Sequence, residues 1–132
     1  MSDPLFRLVC PPATLTGSPE GWAVEMLQDG VVAVTADDGG LSAIGDAART
    51  LGVTALPVLR GEPSADEQER TVFTHAGALA LVWVAAGFSD EARAWAQKRG
   101  PMTLLVEATG ELSADERRRV ERFVSILSGQ AA

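Results

Sequence analysis

Three short polar segments carry the side chains best suited to chemistry. Residues 37–40 (Asp-Asp-Gly-Gly) offer two carboxylates, residues 60–62 (Arg-Gly-Glu) offer a cation and an acid, and Ser89 offers a hydroxyl. The carboxylates of the first segment suit a hydrated divalent cation and oppose a bare phosphate. The alternative is a polar turn in which Asp38 caps the following helix. The candidate binding residues are therefore Asp37, Asp38, Arg60, Glu62 and Ser89, and no catalytic or metal-ligating residue is assigned.

Each candidate segment comes directly after a predicted strand. The apolar runs 31–36, 53–60 and 79–86 have little polar alternation, which is typical of strands buried on both faces of a parallel sheet. Ligands of open α/β sheets bind outside the carboxyl ends of such strands. We therefore expect the candidate residues to lie at one edge of the sheet.

The clearest supersecondary unit spans residues 79–107. A buried strand leads to Ser89, a good N-cap, and the acids Asp90 and Glu91 occupy the first turn of the helix that follows. A cationic and Gly-Pro segment at 98–101 ends this helix, and a second apolar strand begins at once. This order predicts a parallel βαβ unit.

The other elements follow from caps and periodicity. Ser18 with Pro19 predicts a helix start, and residues 41–51 are apolar at helical spacing. The tetrapeptide Ser-Ala-Asp-Glu occurs at 64–67 and again at 113–116, and each copy predicts a capping box. Leu5 to Val9, which precedes two prolines, is interpreted as an edge strand or an antiparallel hairpin partner. The alternation predicts a single three-layer α/β domain over residues 1–132, with a mixed or largely parallel sheet of about five strands.

The predicted last helix has an apolar stripe. Val120, Phe123, Val124 and Leu127 lie on one side of it. The stripe either packs on the sheet of its own chain or forms a seam between two copies. Of these alternatives we favour a homodimer, and a protein partner is a further possibility.

Charge and composition limit the classes of partner. The formal net charge is -7, which predicts weak or no nucleic-acid binding, and the arginines at 117–119 and 122 alternate with acids as a solvated helix face does. No apolar run approaches the ~20 residues of a membrane span, and the N-terminal residues lack a secretory pattern, so a cytoplasmic location is expected. Cys10 is interpreted as a packing residue, and His75 as a structural or surface histidine.

No cofactor is predicted, because the chain has neither a Gly-x-Gly-x-x-Gly motif nor a Walker-type lysine motif. One Cys and one His also cannot form a common zinc site.

Residues 87–96 (Gly-Phe-Ser-Asp-Glu-Ala-Arg-Ala-Trp-Ala), placed between two apolar strands, resemble the C-terminal part of the Mrr-type restriction endonuclease family. The resemblance implies a restriction-endonuclease-like fold. It also implies a metal-dependent nuclease site with an Asp after a Gly-Gly-aliphatic turn, and with an acid or amide and a Lys on the next strand. Ser42, Val58 and Arg60 stand at those places here.

A site with these replacements is degenerate. Val58 cannot ligate a metal, and Arg60 cannot act as a base because it does not lose its proton. The first hypothesis is therefore a catalytically degenerate Mrr-like domain that acts by binding in DNA defence or DNA repair. The second is a self-associating structural module without a nucleic-acid role. The third is a small metal-dependent enzyme that uses Asp37, Asp38 and Glu62.

Overall fold

The computed structural model describes residues 4–36 and 40–131, with side chains up to residue 129. The strands are β1 (Phe6–Cys10), β2 (Gly30–Thr35), β3 (Val58–Leu59), β4 (Ala80–Ala85) and β5 (Thr103–Glu107). The helices are α1 (Pro12–Thr16), α2 (Trp22–Met26), α3 (Gly40–Leu51), α4 (Ala65–Ala76), α5 (Asp90–Arg99) and α6 (Ala114–Ala131).

The five strands form one sheet in the order β3-β2-β1-β4-β5, and every neighbouring pair is parallel. This confirms the predicted α/β class and the sheet of five strands flanked by helices. The chain moves outward from β1 to β3, then crosses back to β4 on the other side of β1. The strand order therefore reverses between β1 and β4, which is the switch point of a doubly wound sheet.

The interpretation of Leu5 to Val9 as an edge strand or hairpin partner was wrong. β1 is the central strand and pairs in parallel with both β2 and β4. Apart from Arg7 its residues are apolar, and Phe6, Leu8 and Val9 are almost fully buried, as the centre of a covered sheet requires. The prolines do not interrupt the ladder because they lie after the last paired residue, and Pro12 opens α1.

The predicted helix start at Ser18 was also wrong. The Ser18 hydroxyl donates a hydrogen bond of 2.6 Å to the carbonyl of Leu15 in α1. The next helix begins only at Trp22. The strand predicted over 53–60 is shorter than expected. Only Val58 and Leu59 pair with β2 as a strand, since the residue before them, Pro57, has no N–H to donate.

The predicted caps at Ser64, Ser89 and Ser113 are confirmed. The hydroxyls of Ser64 and Ser113 each accept a hydrogen bond from the backbone N–H three residues later, at 3.2 Å and 3.1 Å. At Ser113 the box is reciprocal, because the Glu116 carboxylate accepts from the Ser113 N–H.

Helices cover the two sheet faces unequally. Side chains of α1, α2, α3 and α6 join one core cluster with Phe6, Leu8 and Val34. Side chains of α4 and α5 join a second cluster with Val9 and Trp83. Connections that run toward β3 use the first face and connections that run toward β5 use the second, as right-handed crossovers require. The result is a three-layer domain with its switch point beside α4 and α5.

Candidate functional site

A cavity of about 240 Å³ lies at the carboxyl ends of β2 and β4, under α4. Strand ends supply part of its wall and α4 supplies most of the rest. The lining residues are Thr35, Ala36, Ala65, Gln68, Glu69, Val72, Trp83, Val84, Ala85 and Gly87. This is the edge of an open α/β sheet at which ligands bind, and β1, the strand next to the switch point, lies between the two contributing strands.

Glu69 is the charged residue of this cavity, and its side chain is only 7% exposed. One carboxylate oxygen accepts from the Ser89 N–H at 2.9 Å, and the other accepts from the Ser89 hydroxyl. The Ser89 oxygen in turn accepts from the Ala92 N–H at 3.1 Å and caps α5. The carboxylate thus faces the N-terminus of α5, where the helix dipole favours negative charge.

An aromatic cluster fixes the position of α4 and α5 against β4. Trp83 meets Phe88 edge to face at a centroid distance of 4.9 Å, and Phe73 of α4 stacks on Trp95 of α5 at 4.4 Å. Trp83 also lines the cavity. Trp83 is almost fully buried in the second core cluster, so the aromatic contacts join the wall of the cavity to the core.

The segment after β3 is tied to α4 by side-chain hydrogen bonds. Glu62 accepts from Arg60 Nε and from the Thr71 hydroxyl, both at 2.8 Å. Gln68 accepts from the Glu62 N–H at 3.0 Å and donates to the Arg60 carbonyl at 3.1 Å. The hydrogen bond from Thr71, followed by that from Arg60, lowers the pKa of Glu62 below its ordinary value.

The structure brings some of the predicted site residues together. Arg60 and Glu62 contact each other, and Ser89 contacts α4 through Glu69. None of these three lines the cavity, and their predicted binding roles stay predictions. Asp37 and Asp38 lie outside the described residues.

Glu69 was not among the residues predicted from the sequence, although a signal for it exists. It precedes Val72 and Ala76 at intervals of three and seven, so it falls on the buried stripe of α4. An acid at such a position needs a polar partner, because a buried charge without one is costly. That partner is Ser89, twenty residues later in the chain.

Cys10 is a packing residue, as predicted. Its side chain is fully buried in the first core cluster, and burial raises the pKa of the thiol to about 12. The thiol therefore stays protonated and is not a nucleophile.

Within residues 4–36 and 40–131, no group of three or more His, Cys, Asp or Glu side chains is placed to hold a metal ion. None of the helices described for this chain is both long and apolar enough to cross a membrane. Comparisons with protein-family models, curated proteins and solved structures find no match for this chain. Functional inference therefore rests on the geometry of the chain itself.

Proposed function

We propose that this protein acts by binding a small polar ligand in the cavity at the carboxyl ends of β2 and β4. The observation that carries the proposal is the buried carboxylate of Glu69 in a cavity beside the switch point. The combination of a concave site at this edge of a doubly wound sheet with a fixed charged group is typical of ligand binding.

The lining indicates the ligand's chemistry. Glu69 offers acceptor oxygens, Gln68 an amide and Thr35 a hydroxyl, and the remaining wall includes the apolar side chains of Val72 and Trp83. A ligand with hydroxyl or amino donors and an apolar part fits this set, whereas the carboxylate disfavours an anion. The volume is below the ~300–1,000 Å³ of clefts for drug-sized molecules, so the ligand is small.

Gly87 provides a way to obstruct the cavity without straining the backbone. A β-carbon at this position meets no atom within 4 Å, and Gly87 is not among the glycines with positive φ. The variant Gly87→Leu should therefore fold and place a large apolar side chain at the rim of the cavity, where it obstructs access. The matched control is Gly129→Leu on α6, a helix that contributes no residue to the cavity, because Gly129 is equally open.

The probe is a panel of small polyols, nucleosides and amines, screened by ligand-observed NMR. We expect at least one class to bind the wild type and Gly129→Leu with similar affinity and to lose at least about tenfold in affinity for Gly87→Leu. Absence of binding from all three classes, or binding that Gly87→Leu leaves unchanged, would contradict the proposal.

We further propose that the chain does not cleave DNA, in keeping with its resemblance to Mrr-type endonucleases and a degenerate site. In support, Val58 is apolar, and the exposed Arg60 is paired with Glu62 in the segment after the two-residue β3. On this proposal the domain binds its ligand in a DNA-defence or DNA-repair setting in the cytoplasm. Plasmid DNA, methylated or unmethylated, should stay intact with magnesium or manganese, and cleavage that Asp38→Ala abolishes would overturn the proposal.

We propose, second, that the protein forms a homodimer, but through a surface beside the predicted apolar stripe of α6 and not through the stripe itself. Val120 and Val124 are buried in the core of their own chain, so most of the predicted stripe seals the sheet. The exposed apolar residues beside it are Ile126 at 55% and Met102 at 41%, and they flank the half-buried Phe123 and Leu127. We propose that this patch, rather than the stripe itself, meets its copy.

A further inference from the structure

A second concave surface, the β3–α4 groove, lies between the end of β3 and α4. Its volume is about 400 Å³ and its lining is rich in cations and hydroxyls. The lining residues are Leu59, Arg60, Arg70, Thr71, Thr74 and His75. Three potential cations on one groove are unexpected in a chain whose net charge is -7.

His75, which lines the groove, and Arg7 of β1, whose charge acts on His75, each have one nitrogen without a partner among the described residues. Arg7 Nε and His75 Nε2 are buried and make no hydrogen bond. Buried polar atoms in native proteins are nearly always satisfied, so two of them in one region call for an explanation. Burial, and then the nearby charge of Arg7, lowers the pKa of His75.

The two groove arginines keep free hydrogen-bonding capacity. Arg60 uses Nε for Glu62, which leaves the other donors of its guanidinium. Arg70 pairs with Glu91 of α5 at 3.6 Å, and both side chains are at least half exposed. Such exposed pairs contribute little stability, so an incoming anion can replace them at low cost.

We propose that the β3–α4 groove binds a small phosphate-bearing ligand, with Arg60 and Arg70 as its direct contacts. A phosphate offers several acceptor oxygens, and an arginine guanidinium group can donate two parallel hydrogen bonds to it. Its negative charge would also counter the Arg7 charge that acts on His75, and would favour the protonated form of that imidazole. This site is distinct from the Glu69 cavity, whose carboxylate selects against anions.

The acids near the groove limit the ligand. Glu62 lies beside Arg60, and its side chain is 10% exposed because Thr71 and Arg60 cover it. Glu91 pairs with Arg70. The groove lining therefore has three basic groups, Arg60, Arg70 and His75, against the two acids Glu62 and Glu91 that pair with its arginines. This balance favours one phosphate group over a long polyanion.

His75 is the only histidine of the chain and is therefore a clean reporter. Its imidazole proton resonance is followed by NMR against pH, with inorganic phosphate or with chloride at the same ionic strength. We expect phosphate to raise the pKa of His75 by about 0.5, which corresponds to about threefold tighter binding of the anion to the protonated form.

The variant Arg70→Gln should abolish most of this rise, and Arg60→Gln serves as the second variant if the first does not fold by circular dichroism. The control is Arg49→Gln, which removes the same charge from an exposed arginine on α3 paired with Asp46. In the Arg49→Gln variant, phosphate should still raise the pKa of His75 by the full amount. No phosphate effect, or an equal effect in Arg70→Gln and Arg49→Gln, would overturn the proposal.

A short single-stranded oligodeoxynucleotide, added at the same phosphate concentration, separates the sources of the phosphate group. A smaller response than to inorganic phosphate supports a small ligand. A response to the oligonucleotide alone would overturn the small-ligand proposal in favour of a nucleic-acid backbone.

Discussion

Glu69 combines two roles at the scale of a single residue. Its carboxylate lines the candidate cavity and also accepts both hydrogen bonds that Ser89 can donate. Each oxygen has a further lone pair, so a ligand donor can be added without breaking the contact to α5. The residue proposed to select the ligand is therefore already held in place before the ligand arrives, which reduces the ordering cost of binding.

We expect Glu69→Ala to destabilise the fold even without ligand. The change leaves the Ser89 N–H without a partner in a part-buried place and removes negative charge from the N-terminus of α5. Loss of hydrogen bonds to a charged group predicts a decrease of ~1.5–3 kcal/mol in the free energy of unfolding, measured by urea denaturation.

The control for this change is Glu20→Ala, because Glu20 is an exposed acid in the turn before α2. It should shift stability by less than ~0.5 kcal/mol. An equal effect of the two variants would mean that net charge, and not the contact to Ser89, determines the result.

Strand packing shows how element geometry depends on one small residue. Phe6 and Gly30 are paired neighbours on β1 and β2, and the Phe6 ring lies over Gly30. A β-carbon on Gly30 would lie 2.5 Å from Phe6 Cζ, closer than such atoms approach in proteins. The glycine is therefore required by packing, since no side chain fits beneath a fully buried ring.

Gly30→Ala should overpack this contact and lower the free energy of unfolding by ~1–3 kcal/mol. Gly45→Ala is the matched control, because Gly45 lies within α3 and its β-carbon would approach only Arg49, at 3.8 Å. That control should stabilise the protein by ~0.5–1 kcal/mol through helix propensity. Thermal unfolding of both variants should show a lower melting temperature than the wild type for Gly30→Ala and a higher one for Gly45→Ala. Two variants of equal stability would contradict this account.

The elements with complete local signals were predictable from the sequence. β4, α5 and β5 were found because continuous apolar runs flank an N-cap, first-turn acids and a Gly-Pro stop. The central place of β1 was not found, since sheet order depends on long-range pairing and not on the strand's own residues. The Ser18 prediction failed because a serine hydroxyl can also donate to a backbone carbonyl three residues earlier, and here it bonds to Leu15 near the end of α1.

The candidate site was predicted in its position but not in its key residue. The edge formed by strand carboxyl ends follows from the βαβ pattern, and the cavity lies there. Glu69 belongs to the helix above that edge, and only the fold brings it to Ser89. A search limited to residues that directly follow strands cannot find it.

Charge and exposed apolar side chains are distributed unevenly over the whole molecule. The carboxyl edge presents a buried acid, the β3–α4 groove presents cations, and the outer side of α6 and the end of α5 present exposed Ile126 and Met102. The cavity and the groove share α4 but have no lining residue in common, and the apolar patch shares no residue with either. The proposed ligand sites and the proposed dimer seam therefore do not overlap.

Self-association is tested at Ile126 because this side chain is 55% exposed and adds little to the core. Ile126→Glu should leave the fold intact, as judged by circular dichroism, and should convert the proposed dimer into a monomer by placing a charge in its seam. Light scattering over a range of protein concentrations measures the change. We expect the mass to fall by half at concentrations at which the wild type is dimeric.

The control, Ser128→Glu, adds the same charge to an exposed position two residues further along α6, which points about 200° away around the helix. It should leave the dimer unchanged, so a monomer from both variants would indicate general charge repulsion. Phe123→Glu has a different expected outcome, because Phe123 packs against the core of its own chain and a charge there should unfold it. A wild type that is monomeric at every concentration would rule out the dimer and leave the apolar patch for a different protein.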